Sequence, residues 1–140
     1  MKKSVYQTIL LIAFVSLVVG CNDKEPLVDS SNNGLVDITS QKQFDDEVAT
    51  GVSMVFFHAS WCTKCAAQRP AVETVSEETT FSNVFFAEVE YEDFSDIVTS
   101  RDIKGFPTTV IYKDNIEQKR FSGQGHTEGQ IREALTEATM

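Results

Sequence analysis

Two cysteines separated by two residues, in the segment Trp61-Cys62-Thr63-Lys64-Cys65, carry the most definite chemistry in this chain. A dithiol at that spacing closes into a disulfide with little backbone movement and can alternate between two redox states. Cys62 is expected at the first position of a helix, where unpaired backbone N–H groups and the positive end of the helix dipole favour a thiolate. It is therefore the natural attacking thiol. Cys65, one turn further in and followed by Ala66-Ala67, is expected to be shielded and to resolve a mixed disulfide by attacking Cys62. A bridge across two residues constrains almost nothing in the unfolded chain, so stability is not its purpose.

The elements that must position this pair are legible on either side of it. Met54-Val55-Phe56-Phe57 forms the apolar centre of a strand over Val52–Ala59, buried on both faces. A helix follows from Cys62 to about Thr79, with Ala67, Ala71, Val72 and Val75 on one face and a kink expected at Pro70. Upstream, Leu35–Thr39 alternates as a strand, and Ser40 caps a helix carrying Phe44 and Val48 that ends at Gly51.

Downstream come a strand over Val84–Val89, a short helix over Phe94–Ile103, a strand over Thr108–Tyr112 and another over Arg120-Phe121-Ser122. Asp114-Asn115 supplies a hairpin turn between the last two. Thr127-Glu128-Gly129-Gln130 reads as a capping box opening a final helix with Ile131 and Leu135 on its inner face. The order β-α-β-α-β-α-β-β-α is that of an α/β domain, with a central mixed sheet flanked by helices on both faces.

The 140 residues and a hydrophobic fraction of 41% suit one globular domain, placed at residues 34–140. Residues 1–20 read as an export signal: Lys2-Lys3, then an apolar run from Ile9 to Val19 broken only by Ser16, too short for a comfortable membrane span. Val18-Val19-Gly20-Cys21 resembles the lipobox of bacterial lipoproteins, with Val at its first position where Leu is commoner. The resemblance implies cleavage before Cys21 and lipidation of its thiol, against the alternatives of an uncleaved anchor helix or a conventional signal peptide. Asn22 to Asn33 is polar and aperiodic, a flexible tether that, with Cys21, makes up residues 21–33.

Removing residues 1–20 takes two of the twelve basic residues and none of the 21 acidic ones, moving the net charge from −9 to −11. Such a surface argues against nucleic acid, or electrostatic attraction to anionic lipid, as the main partner. With Cys21 assigned to lipid, the three cysteines leave Cys62 and Cys65 as the one remaining pair.

This order of elements, with Ala59, Trp61-Cys62-x-x-Cys65, Pro70, Gly105-Phe106-Pro107-Thr108 and Gly123, resembles the thioredoxin family over essentially the whole domain. The resemblance implies a thioredoxin fold and a thiol–disulfide oxidoreductase whose redox group is the Cys62–Cys65 disulfide, with no further cofactor and no metal. It implies that Pro107 follows a cis bond and, with Phe106, borders the groove for an extended substrate segment; Trp61 covers one side of the pair, either as a substrate contact or as apolar packing alone. The implied partners are proteins bearing thiols or disulfides and a membrane protein that recharges the dithiol, the chain itself acting as a monomer outside the cytoplasm.

Two departures from the family pattern bear on tuning. Thr63-Lys64 stands where Gly-Pro is usual; an ammonium beside Cys62 would favour its thiolate and make the disulfide more oxidising, unless Lys64 points into solvent. The buried Asp six residues before the first cysteine is replaced by Phe56. Glu88, on the neighbouring strand, is the candidate replacement as proton acceptor, the alternative being a half-exposed strand carboxylate.

Three rival functions remain. An oxidase or isomerase of the same fold is the nearest, with reduction favoured because the chain lacks a large helical insertion. Copper binding through His58, Cys62, Cys65 and His126 is weakened by a spacing one residue short of the copper-delivery branch. A non-catalytic binding module has no need of two thiols.

Overall fold

A computed structural model describes residues 34–140. The expectations for residues 1–33, including the export signal, the lipidated Cys21 and the tether, lie outside the described residues. Strands β1 (Val36–Asp37), β2 (Val52–His58), β3 (Val84–Glu90), β4 (Thr108–Lys113) and β5 (Ile116–Ser122) alternate with helices α1 (Gln41–Val48), α2 (Thr63–Ser76), α3 (Ser95–Ser100) and α4 (Glu128–Thr139) in the expected order. They form one mixed sheet, β1-β3-β2-β4-β5, with β1, β3 and β2 parallel and β4 antiparallel to both β2 and β5.

Strand β2 lies at the middle of the sheet because it is apolar on both faces. On one side Met54 and Phe56 pack with Val72 and Val75 of α2 and Ile131 and Leu135 of α4. On the other, Val55 and Phe57 meet Phe44 and Val48 of α1 and Ile97 and Val98 of α3. Two cores, one on each face, fix the position of the C-terminal end of β2 and hence of the loop carrying the cysteines.

Local signals explain the boundaries. Ser40 accepts from the Gln43 backbone at the start of α1. The Thr127 and Gln130 side chains bond each other's backbone N–H groups in the capping box of α4. Asp114 and Asn115 both have positive φ, 51° and 64°, as a two-residue hairpin turn requires.

The structure departs from the sequence reading at several ends. Strand β5 begins at Ile116, four residues before the expected Arg120, because the polar stretch Glu117-Gln118-Lys119-Arg120 joins β4 through its backbone, with a bulge at Gln118, and has no apolar alternation to reveal it. Strand β1 is two residues long, with Ile38 N–H still donating to Glu88 O. Helix α3 starts after Phe94, and α2 ends at Ser76, before a separate 3₁₀ turn over Thr79–Phe81. Helix α2 runs on through Pro70, whose carbonyl accepts from Thr74 Oγ1.

Candidate active site

Cys62 is the N-cap of α2, one residue before the first helical position expected for it, with φ −88° and ψ 98°. Its Sγ accepts the backbone N–H of Cys65 at 3.1 Å, so the sulfur occupies the place where an N-cap oxygen ordinarily sits. The reason is local: Cys62 N–H closes a turn onto Ala59 O as the chain leaves β2, and only then does the helix begin. The two cysteines form a disulfide with their Cα atoms 5.3 Å apart. Cys62 is partly exposed, whereas Cys65 is 4% exposed and belongs to the core beneath α2.

The rim around Cys62 is aromatic. Trp61 is 66% exposed and stands edge-on to Phe106, with ring centroids 6.1 Å apart, and Tyr91 also packs on Phe106, tilted, at 5.3 Å. The Phe106–Pro107 peptide bond is cis. Pro107 O accepts the N–H of Gly123, which follows β5 and adopts φ +86°, a conformation that favours glycine. Thr63 and Lys64 are both exposed on the first turn of α2.

Behind the disulfide, Phe56 is fully buried and Glu88 is its direct neighbour on β3. Glu88 is engaged on two sides: its Oε2 accepts from Arg69 of α2 at 2.5 Å and lies 3.0 Å from His58 Nε2. Burial works to raise the Glu88 pKa, but the hydrogen bonds and charges of His58 and Arg69 outweigh it and bring it down to about 2. With both donors on the same oxygen, Glu88 is a fixed anion that orients Arg69 and His58.

Asp37, beside Glu88 on β1, is shifted upward by burial and then by its hydrogen bond to, and charge repulsion from, Glu88.

The depressed Glu88 pKa makes its ion pairs a pH-dependent part of stability. Their contribution is present above the ordinary value of 4.5 and disappears as pH falls towards about 2. Glu88→Gln should cost about 1–2 kcal/mol at pH 7, allowing for solvent screening, and flatten the loss of stability between those pH values. Urea melts at a series of pH values measure this; parallel wild-type and variant curves would contradict it.

His58, Ser60, Cys62, Cys65, Arg69 and Glu73 line a cleft of about 360 Å³ that opens beside the two sulfurs. A larger groove of about 680 Å³ runs past Phe106 between Lys104, Glu117 and Arg120 but does not reach the cysteines, so size does not mark the chemistry. His126 lies elsewhere, packed on Phe121 with Nε2 3.1 Å from Ser122 O. Among the described residues, no three His, Cys, Asp or Glu side chains converge as metal ligands would.

Sequence reasoning missed two residues here. Arg69 lies one turn beyond Cys65, with its guanidinium 5.3 Å from the centre of the Phe56 ring. Gln68 is 2% exposed and bonds both the N–H and the C=O of His126, tying α2 to the loop before α4. The signal available for both was their i+3 and i+4 spacing from Cys65.

Known proteins share this architecture. Thioredoxin from Malassezia sympodialis superimposes with a TM-score of 0.69 at 25% identity, covering 78% of this chain and 94% of that one. Thioredoxin H5 of Oryza sativa subsp. japonica is 30% identical over 109 residues, 74% of this chain and 79% of its own. Thioredoxin domain-containing protein 5 homolog of Drosophila melanogaster is 29% identical over 90 residues, 61% of this chain but only 22% of that longer protein. The sequence model of the family described as Thioredoxin matches residues 35–137, and with the Cys62–Cys65 disulfide at the start of α2 the chain belongs to the thioredoxin family.

Proposed function

We propose that this protein is a thiol–disulfide oxidoreductase that reduces protein disulfides outside the cytoplasm while tethered to a bacterial membrane through a lipid on Cys21. The observation that carries the chemistry is the asymmetry of the pair. Cys62 is partly exposed at an N-terminus where backbone N–H groups converge, and Cys65 is buried behind it. A substrate disulfide can therefore reach one sulfur and not the other.

Attack by the Cys62 thiolate forms a mixed disulfide; attack by Cys65 then releases the reduced substrate and regenerates the disulfide described above. The exposed Trp61 and the Phe106 ring offer an apolar seat for the segment around the substrate cysteine. The reaction then needs a membrane protein to return two electrons to the pair, and no bound cofactor. The protein works as a monomer. Reduction is favoured over oxidation because only the six-residue α3 connects β3 to β4.

The equilibrium potential of the Cys62–Cys65 pair against a thioredoxin or glutathione reference tests the direction. A value near about −270 mV supports a reductant, and one near about −120 mV replaces it by an oxidase. Incorporation of labelled fatty acid by the full chain, and its loss in Cys21→Ala, tests the tether.

A further inference from the structure

We propose that His58, held in place by Glu88, accepts the proton that Cys65 must lose when it resolves the mixed disulfide. The inference rests on the oxidoreductase reading and deepens it. Cys65 is buried, and a thiol in such surroundings is a weak nucleophile until it is deprotonated. Phe56, fully buried on the strand beneath, cannot take a proton.

The groups bordering the shared cleft narrow the choice. Arg69 holds its protons at any physiological pH. Glu73 is a half-exposed partner of Arg69. His58 lines the cleft together with both cysteines.

Its surroundings suit the task. Phe56 stacks against the imidazole, with centroids 5.6 Å apart and planes within 19°. Glu88 Oε2 lies 3.0 Å from Nε2, and because an ionised carboxylate only accepts, Nε2 carries the hydrogen. Nδ1 is then the nitrogen left to take a proton, the tautomer logic by which a carboxylate orients a histidine base.

Arg69, bonded to the same carboxylate oxygen, keeps Glu88 ionised, so the anion is in place before the imidazolium forms. The other charged groups facing His58 are Glu90, its neighbour in register on β3, Glu92 just beyond, and Asp37 on β1. Arg69 is the opposing charge. Glu88 and Arg69 are positioning residues in this arrangement.

The step balances as follows. The Cys65 S–H proton passes to His58 Nδ1 across the cleft that both residues line, and the Cys65 sulfur bonds the Cys62 sulfur. The bond between Cys62 and the substrate sulfur breaks, and its electron pair leaves on the substrate as a thiolate. His58 returns its proton to solvent before the next cycle.

The two half-steps can be separated with the reduced full-length chain and dithiobis(nitrobenzoate), which releases one coloured thiolate on attack by Cys62 and a second on resolution by Cys65. His58→Gln should slow the second release by about tenfold or more while leaving the first within about twofold, and should change the low-pH limb of the second, leaving only the dependence on the Cys65 thiol itself. Glu88→Gln should slow the second release less, by about threefold, and free imidazole should restore it in His58→Ala.

A second release in His58→Gln with the wild-type rate and pH profile overturns the role of His58 alone. Equal slowing of both phases, or a His58→Ala defect that imidazole leaves untouched, overturns it as well. A wild-type chain that releases neither thiolate overturns the oxidoreductase reading along with it.

Discussion

Cys62→Ser should abolish reduction of a protein disulfide, with turnover falling by about a thousandfold or more, and should leave no covalent complex behind. Cys65→Ser should lose turnover equally but accumulate mixed disulfides. The difference follows from burial. Cys62 presents sulfur to solvent at the N-cap of α2, so it alone can be attacked by, or attack, a protein-sized partner. Cys65 is enclosed beneath the same turn and reaches only Cys62. A serine at 62 removes the nucleophile, because a hydroxyl without a strong base remains protonated and cannot form a disulfide.

Turnover with a disulfide-bonded protein substrate, and non-reducing electrophoresis for the trapped complex, read the two outcomes. A Cys62→Ser chain that retained its cellular role would mark the protein as a binding module. Trapping by Cys62→Ser in place of Cys65→Ser would reverse the assignment of the thiols.

The largest effect on stability is expected at Phe56. Truncation to Ala should cost about 3–5 kcal/mol, a large fraction of the 5–15 kcal/mol that holds a typical domain together. The ring is fully buried at the centre of the sheet, against the core shared by α2 and α4. It also supports two polar neighbours: the Arg69 guanidinium lies over one part of it, and the His58 ring stacks on it. Loss of the ring leaves a cavity next to an ion pair, a place that water can enter. Urea unfolding measures the cost, and a change below about 1 kcal/mol would mean that the surrounding side chains collapse into the space.

The architecture was legible because each element has an apolar face or a marked end. Strand β2 is apolar on both sides, Ser40 and Thr127 cap their helices, and Asp114-Asn115 turns a hairpin. The spacing of Cys62 and Cys65 marks them as a pair, and the structure bridges them as a disulfide.

What escaped the sequence was lateral. Nothing in the spacing of Glu88, Arg69 and His58, which come from three different elements, says that they meet, and the meeting alone decides which of them is a base. The polarity of Gln68 gives no sign that both ends of its amide are used by the backbone at His126. Cys62 was misplaced by one position because an N-cap and a first helical residue differ in a backbone angle that sequence does not encode.

The two margins of the sheet constrain how partners can be engaged. β1 contributes only two residues, and β5 carries the polar run Glu117, Gln118, Lys119 and Arg120, the first three of them exposed. Neither offers a long apolar row onto which a foreign strand could zip, since short and charged margins are what discourage such pairing. Copies concentrated side by side, as surface anchoring would make them, would thus resist joining their sheets into larger aggregates. Among the described residues the aromatic rim beside the sulfurs, Trp61 with Phe106 and Tyr91, is then the place that suits a client's own cysteine.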